Sequence, residues 1–240
     1  MANIKIAIVN VSTVVTDADF KKVIPALQKQ VTRDFAPAWG FDADLRILPA
    51  NGALAANEWL LAILDDSDQA GALGYHDVTK QGRPLGKVFA KTDKQFGEQW
   101  SATASHELLE MLADPNINLT VFEEDTGAAG RLYAYEVCDA CEAEQFSYKI
   151  DGVLLSDFVF PSWFESFRKA GSTQFDFTKG IKKPFELLKG GYIGVYDIGS
   201  GAGWQQLTAE RVNFRSRPPV GSRRERRGVP MNQRIKSTAY

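Results

Sequence analysis

The sequence predicts an α+β fold with a mixed sheet, and three observations carry that prediction. Residues 4–10 (IKIAIVN) are β-branched and alternate, as a strand requires. Phe20, Val23, Ile24, Leu27, Val31 and Phe35 recur at helical spacing. Two short apolar runs, 72–78 and 84–90, flank the glycine-containing turn 79–83, and a second long helical pattern follows them. Strands and helices thus succeed one another without internal repeats.

Taken in order, 4–10 is the first strand. Thr16-Asp17-Ala18-Asp19 starts the first helix, and Pro37 and Gly40 end it. Residues 43–48 read as a second strand. The continuous apolar run 58–64 (EWLLAIL) precedes the turn Asp65-Asp66-Ser67-Asp68 and reads as a buried strand. Of the hairpin that follows, the second arm carries Pro84, which suits a sheet edge. A helix runs over about 98–112 and stops at Asp114-Pro115-Asn116. Beyond it the pattern weakens into an irregular C-terminal part. Short strands are expected at 132–137, at 147–154 (turning at Asp151-Gly152) and at 190–196. Phe158, Phe160, Trp163, Phe164 and Phe167 are expected in the core.

The chain has 240 residues, 44% hydrophobic and 24% charged, an ordinary globular composition. No apolar run approaches the ~18 residues of a membrane span, so a membrane is not an expected partner. The amino terminus lacks the pattern of a signal peptide, which makes the cytoplasm the default compartment; export without a signal peptide stays compatible. Charge is uneven. From 208 to 240, nine Arg or Lys stand against Glu210 and Glu225, so this end carries +7 and the rest −9, giving the net −2. Such a tail suits an acidic partner or docking on its own body. Beyond Phe214 it has no interleaved aromatics before Tyr240, so nucleic acid is not the expected partner. Rich in Pro, Gly, Ser and Arg, 211–240 is expected to be a basic, extended or mobile tail on a domain spanning 1–210.

The chemistry concentrates in the stretch Ala104-Ser105-His106-Glu107-Leu108-Leu109-Glu110-Met111-Leu112-Ala113-Asp114-Pro115. On a helix, positions i and i+4 share a face, so His106 and Glu110 can hold one metal ion together. Glu107 projects elsewhere but can act on the attacking water as general base. The layout is H-E-x-x-H with Glu in place of the second His. Short patterns of this kind also occur on solvated helix faces. Here the helix is otherwise apolar, and Ala102, Ala104 and Ser105 permit close backbone approach. A catalytic metal site needs about three protein ligands and an open position. The third must lie downstream, where Glu136 and Asp139 stand three apart; either can serve. Two anionic ligands weaken the metal as a Lewis acid and shift preference toward harder ions. Zn²⁺ is the first expectation, with Mn²⁺ or Ca²⁺ as alternatives.

Other polar signals carry less. His76 sits in a predicted strand and reads as a structural group, kept as a secondary site candidate. Tyr192 and Tyr196 could donate to an oxyanion, but packing is the simpler role. Cys138 and Cys141 form a C-x-x-C among Glu136, Asp139 and Glu142, a field that raises thiol pKa and argues against redox work.

The order strand, long helix, strands, hairpin, H-E helix and later Glu resembles the zincin metallopeptidase fold over residues 1–165. More narrowly, Ser105-His106-Glu107 through Glu110 to Asp114-Pro115, followed by Glu136 to Asp139, is similar to bacterial and phage-encoded proteins with S-H-E-x-x-E-x-x-x-D-P and a later E-x-x-D. The stretches 27–40 and 156–164 also look like that set. The zincin resemblance implies a zincin-like mixed sheet with an upstream helix and an active-site helix. It implies His106 as ligand, Glu107 as base, and Glu136 as third ligand with Asp139 holding the histidine. Position 110 departs from the peptidase pattern. The expected function is a metal-dependent hydrolase acting on a peptide or protein substrate. The alternative is an inactive binding or assembly protein with a metal or carboxylate cluster where the active site would be.

Overall fold

The structure, a computed structural model, describes residues 4–69, 72–124 and 129–210. The basic tail, 211–240, lies outside the described residues, and so does the domain boundary expected there. The architecture is mixed α/β with a mixed sheet, compatible with the α+β expectation.

The main sheet comprises β1 (Ile4–Asn10), β2 (Ala43–Leu48), β3 (Glu58–Leu64), β4 (Gly74–Val78) and β5 (Pro84–Phe89). Their order is β2-β1-β3-β5-β4, and every pairing is parallel except β4 with β5. The central strands β1 and β3 are apolar on both faces, as interior parallel strands must be. On one face Ile6, Ile8, Leu61, Ile63 and Val88 join the main core with the helices. On the other a smaller cluster forms around Ala7, Val9, Leu48, Leu60 and Ala62.

Which arm of the hairpin forms the edge differs from the sequence expectation. β5, the arm with proline, is interior, between β3 and β4; β4 is the edge. Pro84 opens β5 opposite Val78, and strand starts tolerate a missing N–H as well as edges do.

Helix α1 (Asp17–Lys29) begins at Thr16, whose hydroxyl accepts from Asp19 N. It carries Pro25 and passes into a π-helical stretch, Gln30–Phe35, and then α2 (Ala36–Trp39). Pro37 therefore does not end the helical run: it sits in the first turn of α2, where its missing N–H costs nothing. Gly40, at φ 75°, ends the run in the left-handed conformation that glycine adopts freely.

Helix α3 (Ala90–Phe96), unforeseen in the sequence, follows β5 and leads to α4 (Trp100–Ala113). Helix α4 is buried along most of its length, with Ala104, Leu108, Leu109, Met111 and Leu112 all in the core. Asp114 then accepts from the amides of Asn118 and Leu119, which turns the chain away.

A second sheet runs β11-β10-β7-β6, from β6 (Thr120–Glu123), β7 (Arg131–Ala134), β10 (Tyr192–Asp197) and β11 (Trp204–Thr208). Strands β8 (Tyr148–Ile150) and β9 (Val153–Leu155) make the hairpin expected at Asp151-Gly152. β6 and β11 lacked a clear alternating signal. Phe158, Trp163 and Phe164 are core residues, and Phe158 packs edge-on against Phe35. Phe160 is partly buried against that core. Phe167 departs from the expectation at 74% exposed. Among the described residues no helix is long and apolar enough to cross a membrane.

Candidate metal centre

Helix α4 is fixed at the site by the residue before the histidine. The Ser105 hydroxyl donates to Gln30 Oε1 at 2.6 Å and accepts from Ser156 N at 3.1 Å. Gln30, fully buried in the π-helical stretch, also donates to the Ser156 carbonyl at 2.9 Å. The widened turn thus delivers a side-chain amide to the centre of the molecule. In the sequence Ser105 looked merely small; its role is to lock α4 to two other segments.

From this anchored helix the side chains converge. His106 Nε2 lies 3.3 Å from Glu110 Oε1, the pairing expected for i and i+4. The same nitrogen is 3.3 Å from Asp139 Oδ1. Asp139 stands in the tight turn Asp139–Cys141. That turn is held by Leu188 N donating to the Ala140 carbonyl, and Gly191 runs so close that a Cβ there would sit 2.3 Å from the Ala140 oxygen. Cys138 N donates to Glu110 Oε1 at 3.2 Å.

A second histidine completes the cluster, and here the sequence expectation needs correction. His76 is not a structural group apart. It lies on the face of the edge strand β4 that meets α4, with Nδ1 at 3.4 Å from Glu107 Oε2 and 3.5 Å from Glu110 Oε2. A glycine on β4 makes this approach possible. Gly74, two residues before His76 and on the same face, has no Cβ to strike Glu107. Gly86 stands opposite His76 on β5. The available signal was the pair of histidine and glycine at i and i−2 in an edge strand, and alone it points to no ligand.

Among the described residues two groups of donors therefore form, each with ligand atoms within 4.8 Å of one another: His106, Glu110 and Asp139, and His76, Glu110 and Glu136. The structure brings together the expected ligands His106, Glu110, Glu136 and Asp139, but sorts them differently. Asp139, the expected supporter, stands with His106; Glu136, the expected third ligand, stands with His76. For a cation bound about 2.0–2.2 Å from N and O donors, neighbouring donors lie roughly 3–3.6 Å apart. The distances of 3.3–3.5 Å at the two histidines match that spacing, so the residues present fit a metal ion.

The electrostatics point the same way. Burial, reinforced by Glu110, Asp139 and Asp93, pushes Glu107 well above the usual carboxylate range, with only His106 pulling it down. Burial raises Glu110 likewise, with Asp139 adding to it and His106 opposing. Burial would push the His106 imidazolium down, but Glu110 and Asp139 overcome it and hold it well above 6.5. A cluster of this kind retains protons unless a cation replaces them. Burial also lifts Cys138 and Cys141 well above 9, in keeping with two packed thiols and against redox work. Tyr196 stacks edge-on against Trp204, a packing role. A cleft of about 610 Å³ opens at the start of α4, lined by Lys22, Trp100, Glu144 and Lys149 among others, and includes none of the cluster residues.

Compared with protein-family models, curated proteins and solved structures, the chain finds no match.

Proposed function

We propose that the chain is a zincin-like, metal-dependent hydrolase that acts on peptide bonds, with Glu107 as general base. One observation carries this: His106 Nε2 stands 3.3 Å from both Glu110 and Asp139, with Glu107 next in the chain and turned toward His76. The antiparallel edge strand β4 lying beside α4 adds support, since an extended peptide can pair with such an edge.

His106, Glu110 and Asp139 would hold the ion. A bound Zn²⁺, Mn²⁺ or Ca²⁺ would polarise the scissile carbonyl and supply positive charge beside the carboxylates. Glu107 takes the proton of the attacking water on its carboxylate and returns it to the leaving amine. His76, in contact with Glu107 Oε2, orients that carboxylate.

A second reading has an observation of its own. Glu107, Glu110, Glu136, Asp139 and His76 are all less than 7% exposed, which suits a closed cluster stabilising a binding or assembly module.

Two measurements separate them. Purified protein should carry bound metal, and His106→Ala should lose it; equal metal in both defeats the metal reading. Glu107→Gln should retain metal and lower cleavage of a fluorogenic peptide library by about 10³-fold. Cleavage at the wild-type rate removes Glu107 as base, and no cleavage by the metal-loaded wild type favours the module.

A further inference from the structure

Glu110 is shared by both donor groups, and its two oxygens face different histidines. Oε1 lies 3.3 Å from His106 Nε2, and Oε2 lies 3.5 Å from His76 Nδ1. We propose that Glu110 bridges two cation positions, one held with His106 and Asp139 and the other with His76 and Glu136, so that the chain carries a two-metal centre. The first position rests on the metal reading above; the second is new.

The chemistry of position 110 supports the bridge. A neutral imidazole offers one nitrogen lone pair to a metal, whereas a carboxylate offers two oxygens. Glutamate at this position is therefore what a shared ligand requires, and the departure from H-E-x-x-H becomes a feature with a use.

Glu136, buried beside Glu110, gives the second position a carboxylate of its own, so each position has one histidine, one private carboxylate and one oxygen of Glu110. Paired cations would supply positive charge to the attacking water and to the scissile carbonyl oxygen.

The test uses the full chain stripped by chelator, then dialysed against Zn²⁺ or Mn²⁺ and analysed for metal per chain. Wild type is expected to bind two ions. His76→Gln and Glu136→Gln are each expected to bind one, with native far-UV circular dichroism. Low-temperature electron paramagnetic resonance of the Mn²⁺-loaded wild type should show a spin-coupled pair, a readout that needs no variant to fold. In Mn²⁺-loaded His76→Gln, the six-line signal of an isolated ion should replace it. A wild type that binds one ion, unchanged in His76→Gln, overturns the second position and leaves His76 as the residue orienting Glu107; the single-metal reading then survives. A wild type that binds no more metal than His106→Ala overturns both.

Discussion

Asp157 and Asp176 are buried carboxylates, as are Glu107, Glu110, Glu136 and Asp139, yet the two sets face different partners. Asp157 Oδ1 accepts from the amides of Phe158 and Thr178 at 2.8 and 3.1 Å. Asp176 accepts from the amides of Gly180 and Ile181 at 2.7 and 3.0 Å. The Thr178 hydroxyl lies 2.6 Å from Asp157 Oδ2 and 3.2 Å from Asp176 Oδ2. These acids organise backbone: they tie the loop 176–181 to the segment after β9. The cluster at α4 instead sets carboxylates against imidazoles, and Glu110 keeps one amide donor, Cys138 N. A carboxylate occupied by several amide donors is a structural element; one that faces imidazole nitrogens has lone pairs left for a metal. Burial alone does not distinguish the two.

Asp176→Ala leaves a buried and a part-buried amide without an acceptor and should cost about 3 kcal/mol in denaturant unfolding, while the metal content of the folded fraction stays unchanged. Glu110→Gln should do the reverse: metal binding falls, and the stability of the metal-free protein changes by less than about 1 kcal/mol, because Gln keeps the shape and the oxygen that accepts from Cys138 N. Equal destabilisation by both would erase the distinction.

Next in size is the response to metal. At free metal about 100-fold above Kd, the wild type should gain roughly 2.7 kcal/mol per bound ion, and Glu110→Gln should gain little. The sign with pH follows from the protons the metal displaces. Glu107, Glu110 and His106 all have raised pKa values in the metal-free fold, so they bind more protons folded than unfolded. The metal-free protein therefore loses stability as pH rises, while metal affinity grows. The metal-induced shift in Tm should be larger at pH 8 than at pH 6. An opposite trend means that the cluster does not exchange protons for a cation.

Asp157 gives a smaller, separable pH effect. Burial, with Asp176 adding to it, pushes its carboxyl up from 3.8 to about 8, against the pull of Thr178. A raised acid stabilises the fold in its protonated form, so its contribution is complete at low pH and is lost as pH rises through that interval. Asp157→Asn mimics the protonated acid and should flatten the decline by on the order of 2 kcal/mol, measured by denaturant melts from pH 5 to 8. A parallel curve for the variant would show that Asp157 does not hold the proton.

Much of the first half was legible because parallel strands and amphipathic helices write strong periodicities. β1, β3 and α1 announce themselves, and His106 with Glu110 follows from helix geometry alone. The edge of the sheet was misassigned because Pro84 is compatible with either an edge or a strand start. His76 was underestimated because its partners lie some 30 residues away on another element, a pairing no local pattern encodes. The same holds for Ser105, whose partners are at positions 30 and 156. The strands after 115 are short and interrupted by turns, so tertiary pairing rather than propensity decides them. The division of Glu136 and Asp139 between two histidines depends on the turn 139–141, which spacing alone leaves open.

The last expectation concerns space rather than charge. A Cβ at Gly74 would lie 2.8 Å from Glu107 Cγ and Oε1 and from Thr103 Cγ2. The glutamate cannot simply swing clear without leaving His76, which lies two residues along the same strand and 3.4 Å from its Oε2. Gly74→Ala should therefore displace the Glu107 carboxylate by a few tenths of an ångström at a stability cost of about 1 kcal/mol. Misplacing a base on that scale should lower peptide cleavage roughly 10- to 100-fold, with metal per chain unchanged. No equivalent sensitivity is expected at Asp157 and Asp176, whose amide donors fix them without a second strand face. Unchanged cleavage in Gly74→Ala would mean that β4 does not position Glu107, and its assignment as the base would lose its geometric support.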